Sequence, residues 1–210
     1  MSTLDAPVTG ASDGAKRAAI LAATADLILE RGYDGTNLDA ICERAACSKT
    51  SIYAFFGNKE GLLTALSEGI ALDLSQAMHA LHLQHLSVDE GLRRYARLVL
   101  KLILDEKHIA ILRATISVVW RYPQIGTAYY EVGTLTARSA LAQYFEAKTR
   151  DGSLRVSDGA SAAREFQGLL LWDHMLAQTV GACSRLSDAE IEAEADAAVA
   201  IFLSRYQMPR

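Results

Sequence analysis

The chain has 210 residues, of which 50% are hydrophobic and 22% charged, so it can bury a core and is not an extended disordered chain. No apolar run reaches the roughly 18 residues that a membrane span needs. The formal net charge of -4 disfavours a chain that is basic throughout, but residues 44–59 contain three basic side chains and no acidic one.

The first 14 residues contain Pro7, Gly10 and Gly14 and have no sustained period, which predicts a mobile tail. They lack the basic start and apolar stretch of a secretion signal, so we expect a cytoplasmic protein without a membrane partner. Gly10 to Gly14 match the G-x-S-x-G pattern of hydrolase nucleophile elbows. No plausible strand precedes that pattern, so we expect no catalytic site and no enzymatic activity.

From residue 15 onward every periodic segment indicates a helix, and the first one ends at Gly32. The predicted helices are 15–31, 38–45, 49–55, 59–83, 88–104, 108–121, 124–131, 133–150, 158–180 and 188–206. No segment indicates a strand. The sequence therefore predicts an all-α fold.

Two short helices separated by about three residues lie within 37–56, with Asn37 and Ser48 placed to cap them. This spacing is typical of a helix-turn-helix, whose second helix contacts base edges and phosphates through its first residues. Here those first residues include four polar side chains: Lys49, Thr50, Ser51 and Tyr53.

A run of matching residues covers 17–63: Ile20-Leu21, Glu30-Arg31-Gly32-Tyr33, Thr36, Ile41, Ala45, Ser48-Lys49, Tyr53, Phe56 and Lys59-Glu60-Leu62. On these residues the segment resembles the N-terminal domain of the TetR family of bacterial transcriptional regulators. The resemblance implies a three-helix DNA-binding domain over 15–58 and a helical ligand-binding and dimerisation domain over 59–210. It also implies phosphate contacts by Thr36, Lys49, Tyr53 and Lys59, and base contacts by Thr50 and Ser51.

Three positions depart from the family pattern. Ala46 stands where a turn Gly is most frequent, and a left-handed conformation there would cost an Ala roughly 1–2 kcal/mol. Thr50 replaces a frequent Gly and offers a methyl and a hydroxyl to base edges. Phe55 lacks the polar tip of the His or Tyr that is common at its position.

The C-terminal half carries a weaker resemblance, to the AefR-like subgroup, on Arg121-Tyr122-Pro123, Ala128-Tyr129-Tyr130-Glu131, Gly133, Phe166 and Gly168-Leu169-Leu170. The resemblance implies a homodimer that binds double-stranded palindromic operator DNA, most often as a repressor, and a cavity for a small-molecule effector that releases it. Candidate cavity residues, any of which could instead be core, are Leu102, Leu112, Ile116, Trp120, Tyr129, Phe166, Leu170 and Trp172. Few charges interrupt these positions, so we expect an apolar or aromatic effector, with Arg113, Asp173 and His174 nearest to a polar end.

The last helix has an apolar stripe that could form a dimer interface or pack on its own core: Ile191, Ala195, Ala198, Val199 and Phe202. A second stripe on the preceding helix could join it in a four-helix interface: Gly168, Trp172, Met175 and Thr179.

Some features keep alternatives open. Cys42 and Cys47 flank the predicted turn and could be a redox switch or small buried side chains. His79, His82 and His85 are spaced for a metal but lack acidic or thiol partners, so we expect neither a metal nor another cofactor. The alternative function is a small helical ligand-binding protein or enzyme with vestigial DNA binding.

Overall fold

The computed structural model describes residues 9–208, which contain ten α-helices and no strand, so the all-α prediction is confirmed. The helices are α1 (Thr9–Gly35), α2 (Leu38–Arg44), α3 (Lys49–Phe56), α4 (Lys59–Ala80), α5 (Val88–Ile103), α6 (Glu106–Val118), α7 (Pro123–Ala128), α8 (Thr136–Arg150), α9 (Gly159–Thr179) and α10 (Asp188–Tyr206). A 3₁₀ turn, Leu83–His85, precedes α5, and a π-helical segment, Tyr129–Leu135, joins α7 to α8. Within this range every helix is too short or too polar to cross a bilayer.

Helix α1 begins at Thr9, which corrects the predicted tail for residues 9–14; residues 1–8 lie outside the described part of the chain. Gly10 and Gly14 each weaken a helix by only about 1 kcal/mol, and no Pro follows Pro7 to stop it. The regular path breaks at Gly32, as predicted, where φ is 70°. Only Gly adopts such a conformation without strain.

The helix-turn-helix is present with the predicted caps. The side chain of Asn37 accepts a hydrogen bond from the backbone N–H of Ala40, and that of Ser48 accepts one from Ser51. The turn between α2 and α3 contains Ala46 at φ 47°. The alanine therefore adopts the left-handed conformation that its position predicted.

Three apolar clusters hold the helices together. A small cluster contains Ile20, Leu27, Ile41, Ile52 and Leu62 and unites α1 to α3 with the start of α4. A second joins α1 and α4 to α6 and α7, with Ile28, Leu66 and Ile111 among its members. The largest fills the C-terminal half. Because α4 belongs to all three clusters, movement of this helix reaches both halves of the chain.

The apolar stripe of α10 faces this largest cluster. Ile191, Ala195, Ala198, Val199 and Phe202 are all buried within their own chain. The ring of Phe202 stacks on that of Phe145, with centroids 4.7 Å apart. The prediction that these five residues form a dimer interface is wrong, because enclosed side chains offer no surface to a partner.

Candidate nucleic-acid interface and ligand cavity

Helix α3 has one buried and one open face. Ile52 is fully buried and anchors the helix, whereas Lys49, Thr50 and Tyr53 are exposed. Three of the predicted DNA contacts therefore lie on a single accessible face. Tyr53 is 53% exposed, an unusual position for a large aromatic side chain unless something covers it.

Ser51 is less available than predicted. Its backbone N–H donates to the Ser48 side chain at 3.2 Å, and the two hydroxyls lie 3.0 Å apart. The side chain is half-buried. Ser51 thus stabilises the start of α3, and base reading by this residue requires its hydroxyl to leave Ser48.

Thr36 does not face solvent. It is 0% exposed, and its hydroxyl donates to the Gly32 carbonyl at 2.8 Å. The prediction that Thr36 contacts a phosphate is therefore wrong for this conformation. The residue instead closes the end of α1, where the left-handed Gly32 leaves a carbonyl without a helical partner.

Lys59 also turns inward. Its ammonium donates to the Tyr33 carbonyl and lies 3.9 Å from the centroid of the Tyr33 ring. Burial lowers the pKa of Lys59. The side chain ties the start of α4 to the end of α1, which corrects the predicted phosphate contact to a structural one.

Most of the positive charge near α3 is already paired. Arg44 forms a bidentate ion pair with Glu30, at 2.6 and 2.9 Å, which lowers the pKa of the Glu30 carboxyl. Lys49 contacts Asp39 at 2.7 Å, and this hydrogen bond raises the pKa of the lysine. Exposed pairs of this kind contribute only about 0–1 kcal/mol. A phosphate can therefore replace Asp39 at little cost.

Gly61 is a positioning residue that the sequence reasoning missed. A Cβ at this position would lie 1.9 Å from the backbone oxygen of Phe56, the last residue of α3. Only Gly permits this approach between the end of α3 and the first turn of α4. The sequence signal was the Gly57-Asn58 turn followed by a second glycine inside the helix.

A cavity of about 270 Å³ lies between α4, α5, α6, α8, α9 and the π-helical segment. Its lining residues are Ser67, Ile70, Ala71, Leu74, Tyr95, Val99, Ile103, His108, Tyr129, Gly133, Thr134, Ala137, Arg138, Arg164, Gln167, Gly168, Leu171, Trp172 and Met175. Of the predicted cavity residues, only Tyr129 and Trp172 are in this set.

The other predicted cavity residues lie elsewhere. Phe166 and Leu170 belong to the buried core of the C-terminal half. Leu102 and Leu112 are half-buried outside the lining. Two more face solvent, Ile116 at 52% and Trp120 at 78% exposure. Apolar periodicity identifies inward faces, but it does not separate a wall that borders a void from one that packs solidly.

The polar groups of the cavity also differ from the expected ones. His108 is buried beside Tyr129, with its Nε2 atom 2.7 Å from the tyrosine oxygen. Burial lowers the pKa of His108 to about 4, so the ring is neutral near pH 7. The expected groups are engaged away from the lining or exposed: Arg113 donates to carbonyls at the end of α9, His174 lies 3.2 Å from Glu194, and Asp173 is exposed.

An apolar face is exposed along α9 and α10. Leu169, Trp172 and Leu176 follow each other at helical spacing on α9, Val180 comes directly after its last residue, and Ile201 lies on α10. Of the predicted α9 stripe, Trp172 lies on this face, whereas Gly168 and Met175 border the cavity and Thr179 is half-buried. The other residues of the exposed face were not predicted from the sequence.

The cysteine and histidine alternatives receive little support. Cys42 and Cys47 are half-buried, and burial raises the pKa of the Cys47 thiol. A raised pKa reduces the thiolate fraction that oxidation requires. Within residues 9–208, no three His, Cys, Asp or Glu side chains are grouped as a metal site would need.

Two sequence families match the chain in its two halves. The family described as "Bacterial regulatory proteins, tetR family" matches residues 20–66. The family described as "AefR-like transcriptional repressor, C-terminal domain" matches residues 90–208, more than half of the chain.

Similar proteins of known sequence match part of the chain. The uncharacterized HTH-type transcriptional regulator YdeS of Bacillus subtilis is 47% identical over 45 residues, which are 21% of this chain and 23% of YdeS. The HTH-type transcriptional regulator RutR of Escherichia coli is 34% identical over 91 residues, 43% of this chain and 42% of RutR. These matches thus span less than half the length of either relative.

Solved structures resemble the whole chain. A putative TetR-family transcriptional regulator from Mesorhizobium loti is 29% identical, with a TM-score of 0.84 over 93% of this chain and 98% of that one. The Flavonoid-responsive Regulator FrrA is also 29% identical, with a TM-score of 0.69 over 94% of this chain and 100% of FrrA.

Proposed function

The chain belongs to the TetR family of bacterial transcriptional regulators, and from that premise we propose that it is a repressor that binds palindromic operator DNA as a homodimer. A small effector that enters the cavity releases the repressor from the DNA. The observation that carries this proposal is the exposed face of α3, held on a packed helix-turn-helix. We keep 15–58 as the DNA-binding unit and 59–210 as the ligand-binding and dimerisation unit.

On DNA, Lys49 and Tyr53 contact phosphates and Thr50 reads base edges. Phosphate contacts position the protein without specifying sequence, whereas base contacts specify it. Thr50→Gly should therefore relax the preference at one or two base pairs per half-site, by roughly 1–3 kcal/mol. Lys49→Ala should weaken binding to all duplexes alike. Unchanged selectivity in Thr50→Gly would remove that residue from base reading.

The dimer forms through the exposed apolar face of α9 and α10. Two copies related by a two-fold axis would bring α9 and α10 of each together as four helices, the arrangement expected for a self-complementary interface. Burying Leu176, Val180 and Ile201 removes apolar surface from water that a monomer leaves exposed.

A pair of variants tests this interface by light scattering. Leu176→Glu should yield monomers at micromolar concentration, because a dimer would bury two unpaired carboxylates at its centre. Leu72 is similarly exposed but lies on α4. Leu72→Glu should remain dimeric. Monomeric wild-type protein, or a dimer unaffected by Leu176→Glu, would refute the proposed interface.

Effector binding in the cavity can change DNA binding through helices α4 and α6. The cavity wall includes Ile70 and Ala71 of α4 and His108 of α6. Both helices share the second apolar cluster with α1, and Lys107 of α6 lies 2.7 Å from Asp26 of α1. A ligand that moves either wall displaces the helix-turn-helix, provided that it binds the displaced state more tightly.

The proposed effector is a small molecule with an apolar or aromatic body. Most of the cavity lining is apolar or aromatic, and FrrA, which has a similar fold, is named as flavonoid-responsive. In the alternative function, as an enzyme or ligand carrier, the helix-turn-helix would not bind duplexes. Fluorescence anisotropy separates the two, because the repressor should lose affinity steeply as salt rises.

A further inference from the structure

The charged side chains that line the cavity are all positive. Arg138 of α8 and Arg164 of α9 both line the cavity, and no Asp or Glu does. His108 is neutral near pH 7, as described above. The two guanidinium groups therefore give the lining a formal charge of about +2, since arginine remains protonated in proteins.

Neither guanidinium forms an ion pair within the described part of the chain. Arg138 donates to the Gln167 side chain at 3.1 Å and to the Tyr130 hydroxyl at 3.4 Å. Arg164 donates to the Ser161 hydroxyl at 3.2 Å. Asp158 accepts from that same hydroxyl and forms no ion pair with Arg164, although the Arg164 charge is among the causes, after hydrogen bonds from Ser161, that lower the pKa of the Asp158 carboxyl.

The arginines of α5, in contrast to the two that line the cavity, form ion pairs with carboxylates. Arg93 and Arg97 on α5 contact carboxylates of α10, and Arg94 contacts Glu90 at 2.6 Å. The two cavity arginines donate hydrogen bonds only to neutral groups, with Arg138 half-buried and Arg164 exposed at the edge of the cavity. A carboxylate would provide charge-assisted, bidentate hydrogen bonds that these neutral partners cannot.

Gln167 fixes the direction of the Arg138 side chain. Its amide nitrogen donates to the Tyr95 hydroxyl at 3.3 Å, while its oxygen accepts from Arg138. Tyr95 is fully buried, so its oxygen is a fixed point in the cavity wall. Arg164 lies one turn before Gln167 on α9, and both arginines line the same cavity.

Size and apolar lining limit the rest of the ligand. A cavity of about 150 Å³ holds benzene, so one of about 270 Å³ holds roughly eleven non-hydrogen atoms. Ile70, Leu74, Val99, Ile103, Leu171 and Met175 offer this part of the ligand no charge.

We propose, building on the repressor function above, that the effector is an amphipathic monoanion whose carboxylate is bound by Arg138 and Arg164 while its apolar body fills the cavity. Because the lining holds no carboxylate, a cationic ligand of the same size is rejected. The two arginines are thus the specificity-determining residues of the effector site.

Pairs of acids and amides test this proposal, because each pair differs in charge but not in size. Calorimetry should measure trans-cinnamate against cinnamamide, and octanoate against octanamide. Each acid should bind at least about ten-fold more tightly than its amide, as expected for hydrogen bonds to a charged group. Arg138→Gln and Arg164→Gln should remove most of this difference. Arg150→Gln, an exposed arginine on the same helix as Arg138, should preserve it.

Binding of the same preparations to duplex DNA separates the possible failures. If duplex binding is retained but the amides bind as tightly as the acids, or no acid binds, the anion site is refuted and the repressor function stands. If duplex binding is absent in the wild type, the proposed function fails whatever the ligand preference. Loss of the preference in Arg150→Gln as well would also overturn the assignment, because the effect would not be specific to the cavity.

Discussion

Replacing Ala46 by glycine should stabilise the protein. The residue follows the end of α2 with φ at 47°, and the next residue, Cys47, donates its N–H to the Cys42 carbonyl at 3.0 Å. This is the pattern of a Schellman helix end, in which a left-handed residue is usually Gly. An alanine there costs about 1–2 kcal/mol in backbone strain.

The gain in the free energy of unfolding is smaller than the strain energy that is relieved, because glycine also increases the conformational entropy of the unfolded chain. That second effect is about 0.4–1 kcal/mol, so Ala46→Gly should raise the free energy of unfolding by roughly 0.5–1 kcal/mol. For a chain of this size the melting temperature should rise by about 1–3 °C.

Urea and thermal unfolding, followed by circular dichroism, measure this change at fixed protein concentration. Ala54→Gly is the matched control, since Ala54 is exposed inside α3, where glycine should cost about 1 kcal/mol. Changes of opposite sign in the free energy of unfolding of the two variants support the left-handed strain at Ala46. If Ala46→Gly destabilises the protein as much as Ala54→Gly does, the left-handed strain at this turn does not exist.

Three further predictions concern the junction of α3 and α4, the cavity histidine and the phosphate contact. Gly61→Ala should destabilise the protein by about 1–3 kcal/mol and weaken duplex binding, because the new Cβ meets the Phe56 carbonyl. Gly69→Ala, on the same helix with open space around its Cβ, should instead be mildly stabilising; equal effects would refute the clash. The pKa of His108 is about 4 in the folded protein and about 6.5 in the unfolded chain. Burial of the neutral ring therefore contributes roughly 3 kcal/mol to the free energy of unfolding above pH 6.5, and this contribution is lost as the pH falls toward 4. Urea titrations across that range should show a shallower fall for His108→Gln, and parallel curves would contradict the burial argument. Lys49→Ala should reduce the slope of log affinity against log salt by about 1 per half-site, and an unchanged slope would exclude its phosphate contact.

The fold was largely predictable because its signals are local. Asn37 and Ser48 mark two helix starts by residue type, and Gly32 marks a break by its conformational freedom. The π-helical segment was not predicted, since the periods of α7 and α8 pass through it without a turn residue that distinguishes it. It places Gly133 so that an added Cβ would lie 4.0 Å from Ala71 of α4, a contact that depends on tertiary packing.

The site was predictable only where side chains point outward from a short helix. Lys49, Thr50 and Tyr53 are exposed as predicted, because α3 has one anchor at Ile52 and the opposite face must be open. Thr36 and Lys59 were misassigned because their partners are backbone carbonyls at the broken end of α1, which no side-chain pattern reveals.

The dimer face was misassigned for a different reason. Helix α9 is apolar on two faces, with Phe166 turned inward and Leu169 outward, and α10 has a continuous inward stripe. Periodicity identifies such stripes but not which one its own chain covers. That choice depends on how α5, α8 and α9 enclose α10, which is a property of the assembled fold.

Selection of bound sequences from a pool of random duplexes determines whether this chain reads a two-fold symmetric operator as a dimer. We expect enrichment of a palindrome with half-sites about one helical turn apart, and loss of specificity within each half-site in Thr50→Gly. Enrichment of a single asymmetric site, or no enrichment by wild-type protein, would contradict this expectation.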